Sequence, residues 1–215
     1  MNTKPLEIHN GSAISLRDCP VAAIEDFRQA VISNIANLCH LSALFCAPIK
    51  NKFRLYAIIS DPPRGMLKLI ACDIENEYPS ITPDCLQAHL FEREIFEQWN
   101  VKQIGHPWLK KVRFLSSDKT KTRSDIGKID FFSIGGSDIH EVAVGPVHAG
   151  VIEPGHFRFQ CHGETVYHLE ISLGYQHRGI EQALVGGPNQ RTLHYMETLA
   201  GDTTIGHASA YCQIM

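Results

Sequence analysis

Seven cysteines, twelve histidines and the acids Glu92 and Glu94 are the residues of this chain whose types could do chemistry. The cysteines are Cys19, Cys39, Cys46, Cys72, Cys85, Cys161 and Cys212, no two closer than seven positions. They form no Cys-x-x-Cys pair of the kind that holds zinc or an iron–sulfur cluster. An odd number of separated thiols reads as reduced, mostly buried small hydrophobes. Eight of the histidines (His140, His148, His156, His162, His168, His177, His194 and His207) fall in the second part of the chain. None of these pairs has the three- or four-residue spacing that sets two imidazoles on one helix face, so no dedicated metal site is predicted. Glu92 and Glu94 bracket Arg93. Paired carboxylates suit general acid–base work, but alternation with an arginine on a helix reads more simply as ion pairing. A hydrolase has little support, because there is no Gly-x-Ser-x-Gly elbow and no cysteine beside an obvious base.

These residues need elements to position them. Ile24, Phe27, Val31, Ile32, Ile35 and Leu38 recur at helical steps after Asp18 and Pro20, predicting an amphipathic helix. Phe53–Ser60 and Met66–Asp73 read as two strands joined through Asp61-Pro62-Pro63-Arg64-Gly65, a turn longer than two residues. The prolines of Tyr78-Pro79-Ser80-Ile81-Thr82-Pro83 exclude a helix there and lead into a second helix from about Asp84 to Trp99. Further on, Phe157, Phe159 and Cys161 alternate with polar residues, and Tyr167, Leu169, Ile171 and Leu173 share one face of a following strand. Helices are predicted over 178–184, 189–199 and from Thr203 onward. The fold class is α+β, a small mixed helix and sheet domain followed by a β-hairpin and helices.

With 215 residues, 44% hydrophobic and 20% charged, the chain can bury one large core or two small ones. Apolar residues nearly vanish from Ser116 to Lys128, so the domains are placed at 1–115 and 140–215 with a linker at 116–139. The formal charge of -3 argues against a nucleic-acid binder. Lys102, Lys110, Lys111, Arg113, Lys119, Lys121 and Arg123 form a basic stretch without interleaved stacking aromatics. Lys110, Lys111 and Arg113 are candidates for docking an acidic partner. No apolar run approaches the roughly 18 residues that span a bilayer, and no secretory signal is readable, so a cytoplasmic location is expected.

Phe91-Glu92-Arg93-Glu94-Ile95, then Gly105-His106-Pro107, with Tyr78 to Pro83 upstream, resembles the C-subunit of NADH-quinone oxidoreductase, the respiratory complex I. The likeness is strongest to the form of that domain fused to formate hydrogenlyase large subunits. Residues 145–159, Gly-Pro-Val-His-Ala-Gly-Val-Ile-Glu-Pro-Gly-His-Phe-Arg-Phe, and 173–181, Leu-Gly-Tyr-Gln-His-Arg-Gly-Ile-Glu, are similar to the partner D-subunit in the form used by membrane-bound nickel–iron hydrogenases. The motif-bearing segments, 53–115 and 141–212, make up 135 of the 215 residues.

The resemblance implies an oxidoreductase component that works with quinone or hydrogen chemistry. Its partners would be a hydrogenase small-subunit-like protein carrying the iron–sulfur clusters and the membrane-arm subunits of a complex I-like assembly, holding the chain at the inner face of the cell membrane. Glu181 matches a carboxylate that relays protons, with His177 and Arg178 beside it as further catalytic candidates, and His148 lies in a loop that reaches a quinone cavity in complex I relatives. Arg93 and Glu94 are implied to order an interface between the C-like and D-like parts. A helix over Glu197–Thr203 would carry Arg-x-Cys-Gly-x-Cys in nickel-holding members, but here Ala200 and Thr203 stand in place of both thiolates. No nickel–iron centre and no cofactor of its own is therefore expected in this chain. The rival reading is a purely structural interaction module.

Overall fold

The computed structural model of the chain describes residues 3–114 and 130–215. Most of the linker read from composition, and with it Lys119, Lys121 and Arg123, lies outside them. The chain divides into two compact units, Met1–Lys128 and Ile129–Met215, and among the described residues 130–139 belong to the second.

The first unit is a five-stranded sheet with helices. Strands β1 (Leu6–His9), β2 (Val21–Ala22), β3 (His40–Ile49), β4 (Lys52–Asp61) and β5 (Met66–Ile74) assemble in the order β1-β5-β4-β3, with β2 pairing β5 in parallel. Helix α1 (Ile24–Ala36) starts without a side-chain cap, with Glu25 and Asp26 in its first turn complementing its dipole. It buries Phe27 and Val31 completely in the core that includes Leu41, Leu44, Leu55, Ile59 and Ile70. Each such side chain contributes about 1.5–3 kcal/mol when removed from water. The β4–β5 turn is a single 3-10 turn over Pro62–Arg64 closed by Gly65 at φ 62, the left-handed conformation glycine adopts without strain.

Strand β3 is not legible as a strand in the sequence, because its apolar residues run without clean alternation and include Pro48. The structure accommodates Pro48 because β3 is an edge strand that pairs only with β4, so the missing N–H costs no ladder bond. The second predicted helix splits into a 3-10 turn at Leu86–Ala88 and α2 (His89–Trp99). Short strands β6 (Glu77–Pro79) and β7 (Lys102–Ile104) pair in parallel across it.

The second unit is a three-stranded antiparallel sheet, β8 (Ile139–Val144), β9 (His156–His162) and β10 (Thr165–Ser172), in the order β10-β9-β8. Val142, Phe159 and Leu169 form one cross-strand row and Val144, Phe157 and Ile171 another. Tyr167, Leu169, Ile171 and Leu173 are all exposed, while the opposite face of β10 is closed: Ile171 is 41% exposed and Glu170 only 2%. Glu170 accepts the Phe132 N–H at 2.8 Å, and Gln160 accepts that of Ile134 at 3.4 Å. Residues 132 and 134, placed in the linker by composition, thus cover the polar side of the sheet.

Of the three predicted helices of this unit, α3 (Ile180–Ala183) and α4 (Thr192–Glu197) are shorter than their patterns suggest, while α5 (Thr204–Ile214) starts within one residue of its predicted start. Gly179 at φ 73 stops α3 from reaching back to Arg178. The helix expected over Glu197–Thr203 is corrected: Ala200 is extended, at φ -149 and ψ 130, and a 3-10 turn over Gly201–Thr203 follows it.

Candidate functional site

Two arrangements of polar side chains stand out, one in each unit. In the first, α2 presents Glu92 inward to the turn Ser80-Ile81-Thr82. Its carboxylate accepts from the Ser80 hydroxyl at 2.6 Å, the Ile81 amide at 2.9 Å, the Thr82 amide at 3.1 Å and the Thr82 hydroxyl at 2.6 Å. A fully buried carboxylate is tolerable because charge-assisted donors replace its water. Tyr78, on β6, has its phenol pushed well up by burial, with the neighbouring Glu92 charge adding to the effect.

The next residues of the same helix hold the chain that follows β7. Arg93 Nε donates to the Lys110 carbonyl at 2.6 Å and its Nη2 to that of Lys111 at 3.2 Å. Glu97 accepts the amides of Val112 and Arg113 at 2.7 and 2.9 Å. Glu94 pairs with the Arg113 guanidinium at 2.5 Å. Arg93, Glu94 and Arg113, expected at an interface, spend these bonds inside the first unit, and the Lys110 ammonium lies 5.2 Å from the centre of the Trp108 ring. Lys111 keeps an exposed side chain. His89 and His106 stack beside them with ring centres 5.6 Å apart. Burial, chiefly, lowers the pKa of both.

In the second unit the loop between β8 and β9 folds on itself. His148 Nε2 lies 2.8 Å from the Gly155 carbonyl, and the Gly155 amide donates to the Pro146 carbonyl at 3.1 Å. Gly145 sits at φ 85, and a side chain there would collide with the Gly155 carbonyl and the His148 ring. His148 also meets Phe157 edge-on, so its ring fastens the loop. The loop carries Val147, Val151 and Ile152 exposed.

That loop is tied to the turn at Ala200. Glu153 Oε1 accepts the Gly201 amide at 3.0 Å, and Arg178 Nη1 donates to the Thr198 carbonyl at 2.5 Å. The structure therefore brings Arg178 and the 145–155 loop to one turn, the turn where Ala200 and Thr203 lie. Glu181 is exposed in the first turn of α3, and the His177 amide donates to Gly174. Glu153 was not singled out from the sequence. Its only signal there is its place inside the Val-Ile-Glu-Pro-Gly run, and the contact joins residues 48 apart.

Residues 21–124 match the family described as respiratory-chain NADH dehydrogenase, 30 Kd subunit. Hydrogenase-4 component G of Escherichia coli is 32% identical over 122 residues, covering 49% of this chain and 22% of that protein. Formate hydrogenlyase subunit 5 of the same organism is 27% identical over 153 residues, covering 63% of this chain and 27% of that protein. The NADH-quinone oxidoreductase C/D protein of Bacteroides fragilis is 25% identical over 165 residues, 63% of this chain and 30% of that protein. The chain spans less than a third of the length of each of these relatives. Its resemblance is to components of complex I-like and hydrogenase-type oxidoreductases, with the 30 Kd family matched across most of the first unit.

Proposed function

We propose that the chain is a component of a complex I-like or hydrogenase-type oxidoreductase, supplying scaffold and part of a redox and proton cavity without a nickel–iron centre of its own. The observation that carries this reading is a pair of likenesses on one chain: a 30 Kd-type match over 21–124, and an alignment to a hydrogenlyase subunit that covers 63% of the chain, more than that match by itself spans. The turn at Ala200 supports the second half of the proposal. A methyl and a hydroxyl at Ala200 and Thr203 offer no soft ligand, and among the described residues no group of three or more His, Cys, Asp or Glu could hold a metal. The residues present do not fit a nickel–iron group.

In this reading Arg178 and Glu153 shape the turn that borders the cavity, Glu181 exchanges protons at its edge, and His148 and His177 contribute polar surface. Iron–sulfur clusters reside in a hydrogenase small-subunit-like partner. Among the described residues no helix is long and apolar enough to cross a membrane, so contact with the inner face of the cell membrane runs through membrane-arm subunits.

Affinity purification of the chain from its own cells tests the proposal. Co-purification with an iron–sulfur protein, together with loss of hydrogen- or quinone-linked turnover when the chain is deleted, is the expected result. A complex that assembles and turns over without the chain would overturn it. Assembly that fails while turnover per surviving complex is intact would favour the purely structural module, a reading already suggested by the internal bonds of Arg93 and His148.

A further inference from the structure

Four of the buried thiols of the first unit lie in settings that suppress their reactivity. Burial pushes Cys46 up to about 12 and Cys72 up to about 11, and it raises Cys19 and Cys85 as well. Cys39 differs in its neighbour. It follows the left-handed turn at Leu38 that ends α1, where its amide donates to the Asn34 carbonyl at 3.1 Å. Its side chain is held inward at 5% exposure. From β5, Lys68 brings its Nζ to 3.7 Å from the Cys39 Sγ, while donating to Asn34 Oδ1 at 2.9 Å and facing the Asp61 carboxylate at 3.2 Å. The Lys68 side chain is only 15% exposed. The Lys68 nitrogen is thus held against a secluded sulfur, oriented by its ion pair with Asp61 and its bond to Asn34.

We propose that Cys39 and Lys68 form an oxidative modification site, in which a peroxide-oxidised Cys39 is captured by Lys68 as a covalent sulfur–nitrogen bond. In the first step hydrogen peroxide oxidises the thiol by two electrons. The peroxide O–O bond breaks, Cys39 becomes a sulfenic acid, and one water leaves. In the second step the Lys68 ammonium loses a proton to water, and the lone pair of the amine so formed attacks the electrophilic sulfur. The S–N bond forms, the S–O bond breaks, and hydroxide leaves as water with the proton released; no further oxidant is consumed. A sulfenic acid is known to condense with a backbone nitrogen to a sulfenamide, and a side-chain amine already at contact distance has the advantage over a second peroxide from solution. The bond ties β5 to the end of α1 and withholds Cys39 from irreversible oxidation.

The experiment treats the purified full chain with hydrogen peroxide and maps its peptides by mass spectrometry, with and without later dithiothreitol. The expected product joins the Cys39 and Lys68 peptides with a net loss of about 2 Da, two hydrogens, and is released by the reductant. Lys68→Arg keeps the cation opposite Asp61 but is a poor nucleophile, so Cys39 in that variant should progress to the sulfinic acid; circular dichroism establishes that it is folded. The proposal is overturned if wild-type Cys39 acquires only added oxygen, joins another cysteine, or stays reduced while the exposed Cys212 is oxidised.

Discussion

Thr82 donates both its hydroxyl and its amide to one oxygen of Glu92, at 2.6 and 3.1 Å, in a site closed to water. The acid that the sequence reads as part of an ion pair on a helix is instead buried, the pin that holds the turn before α2. Its charge is matched by four short donors rather than by a cation.

Glu92→Gln is expected to destabilise the chain by about 2–4 kcal/mol, because an amide NH2 would replace an acceptor opposite hydroxyl and amide donors and leave some of them buried and unpaired. Thr82→Val should cost less, about 1–2 kcal/mol, since one hydroxyl donor is lost and the shape is kept. The urea midpoint of the first transition measures both. A Glu92→Gln midpoint equal to that of the wild type would contradict this account.

Burial lowers the pKa of His89 and His106, with the Arg93 charge adding to the effect at both and Glu92 opposing it. The folded chain therefore binds fewer protons than the unfolded chain between those depressed values and the ordinary histidine value near about 6.5. The stability contributed by the pair is complete above about pH 6.5 and is lost as the pH falls through the folded values. Protonation also removes the His106 Nδ1 acceptor of the Trp108 amide, at 2.9 Å. Urea midpoints taken from pH 7.5 down to 5 should fall less steeply in His89→Gln than in the wild type.

Arg93 holds two backbone carbonyls that a lysine could not bridge with a planar fork. Arg93→Ala should loosen residues 110–113 and open Lys110 and Lys111 to trypsin several-fold faster than in the wild type. The mass of the first fragments in a digestion time course reads the site directly. Unchanged cleavage at Lys110 and Lys111 would mean that Glu97 and Glu94 hold the segment without Arg93.

The Glu153 to Gly201 bond crosses from one loop to another on the unit's surface. Glu153→Ala should speed hydrogen exchange of the Gly201 amide by about 3- to 10-fold, the effect of a bond worth about 0.5–1.5 kcal/mol. Glu153→Gln, which keeps an acceptor oxygen, should lie between. Equal exchange in all three chains would count against a link between the loop and the turn.

Glu181 is exposed, so Glu181→Gln should change the stability of the chain by no more than about 1 kcal/mol, the scale of an exposed charge interaction. If the carboxyl exchanges protons in the assembled oxidoreductase, the same change should lower turnover by at least about tenfold while assembly is normal. Melting temperature and turnover per assembled complex, measured side by side, separate the two roles. Wild-type turnover in the variant would remove Glu181 from the proton path.

The helix α1, the β4–β5 hairpin with its long turn, and the β9–β10 hairpin are legible in the sequence because each is written in local periodicity and in proline and glycine punctuation. So are the residues that share the open face of β10, since alternation alone assigns them to one side. Which side is covered could not be read: closing the Glu170 face depends on residues 132 and 134 reaching across from before β8, and periodicity carries no information about what lies over a sheet. Strand β3 escaped because Pro48 weighs against a strand until the sheet order makes it an edge. The break at Ala200 falls in the gap between the helices read over 189–199 and from Thr203, but what holds it was not legible, because the bonds from Arg178 and Glu153 come from 20 and 48 positions away. The sequence by itself determined most of the local elements and set an alanine and a threonine, with no thiol, at positions 200 and 203. Only tertiary structure decided that Glu92, Arg93 and Glu97 hold the first unit together, and that Glu153 and Arg178 meet at one turn, because hydrogen-bond partners far apart in the chain are chosen by folding rather than by spacing.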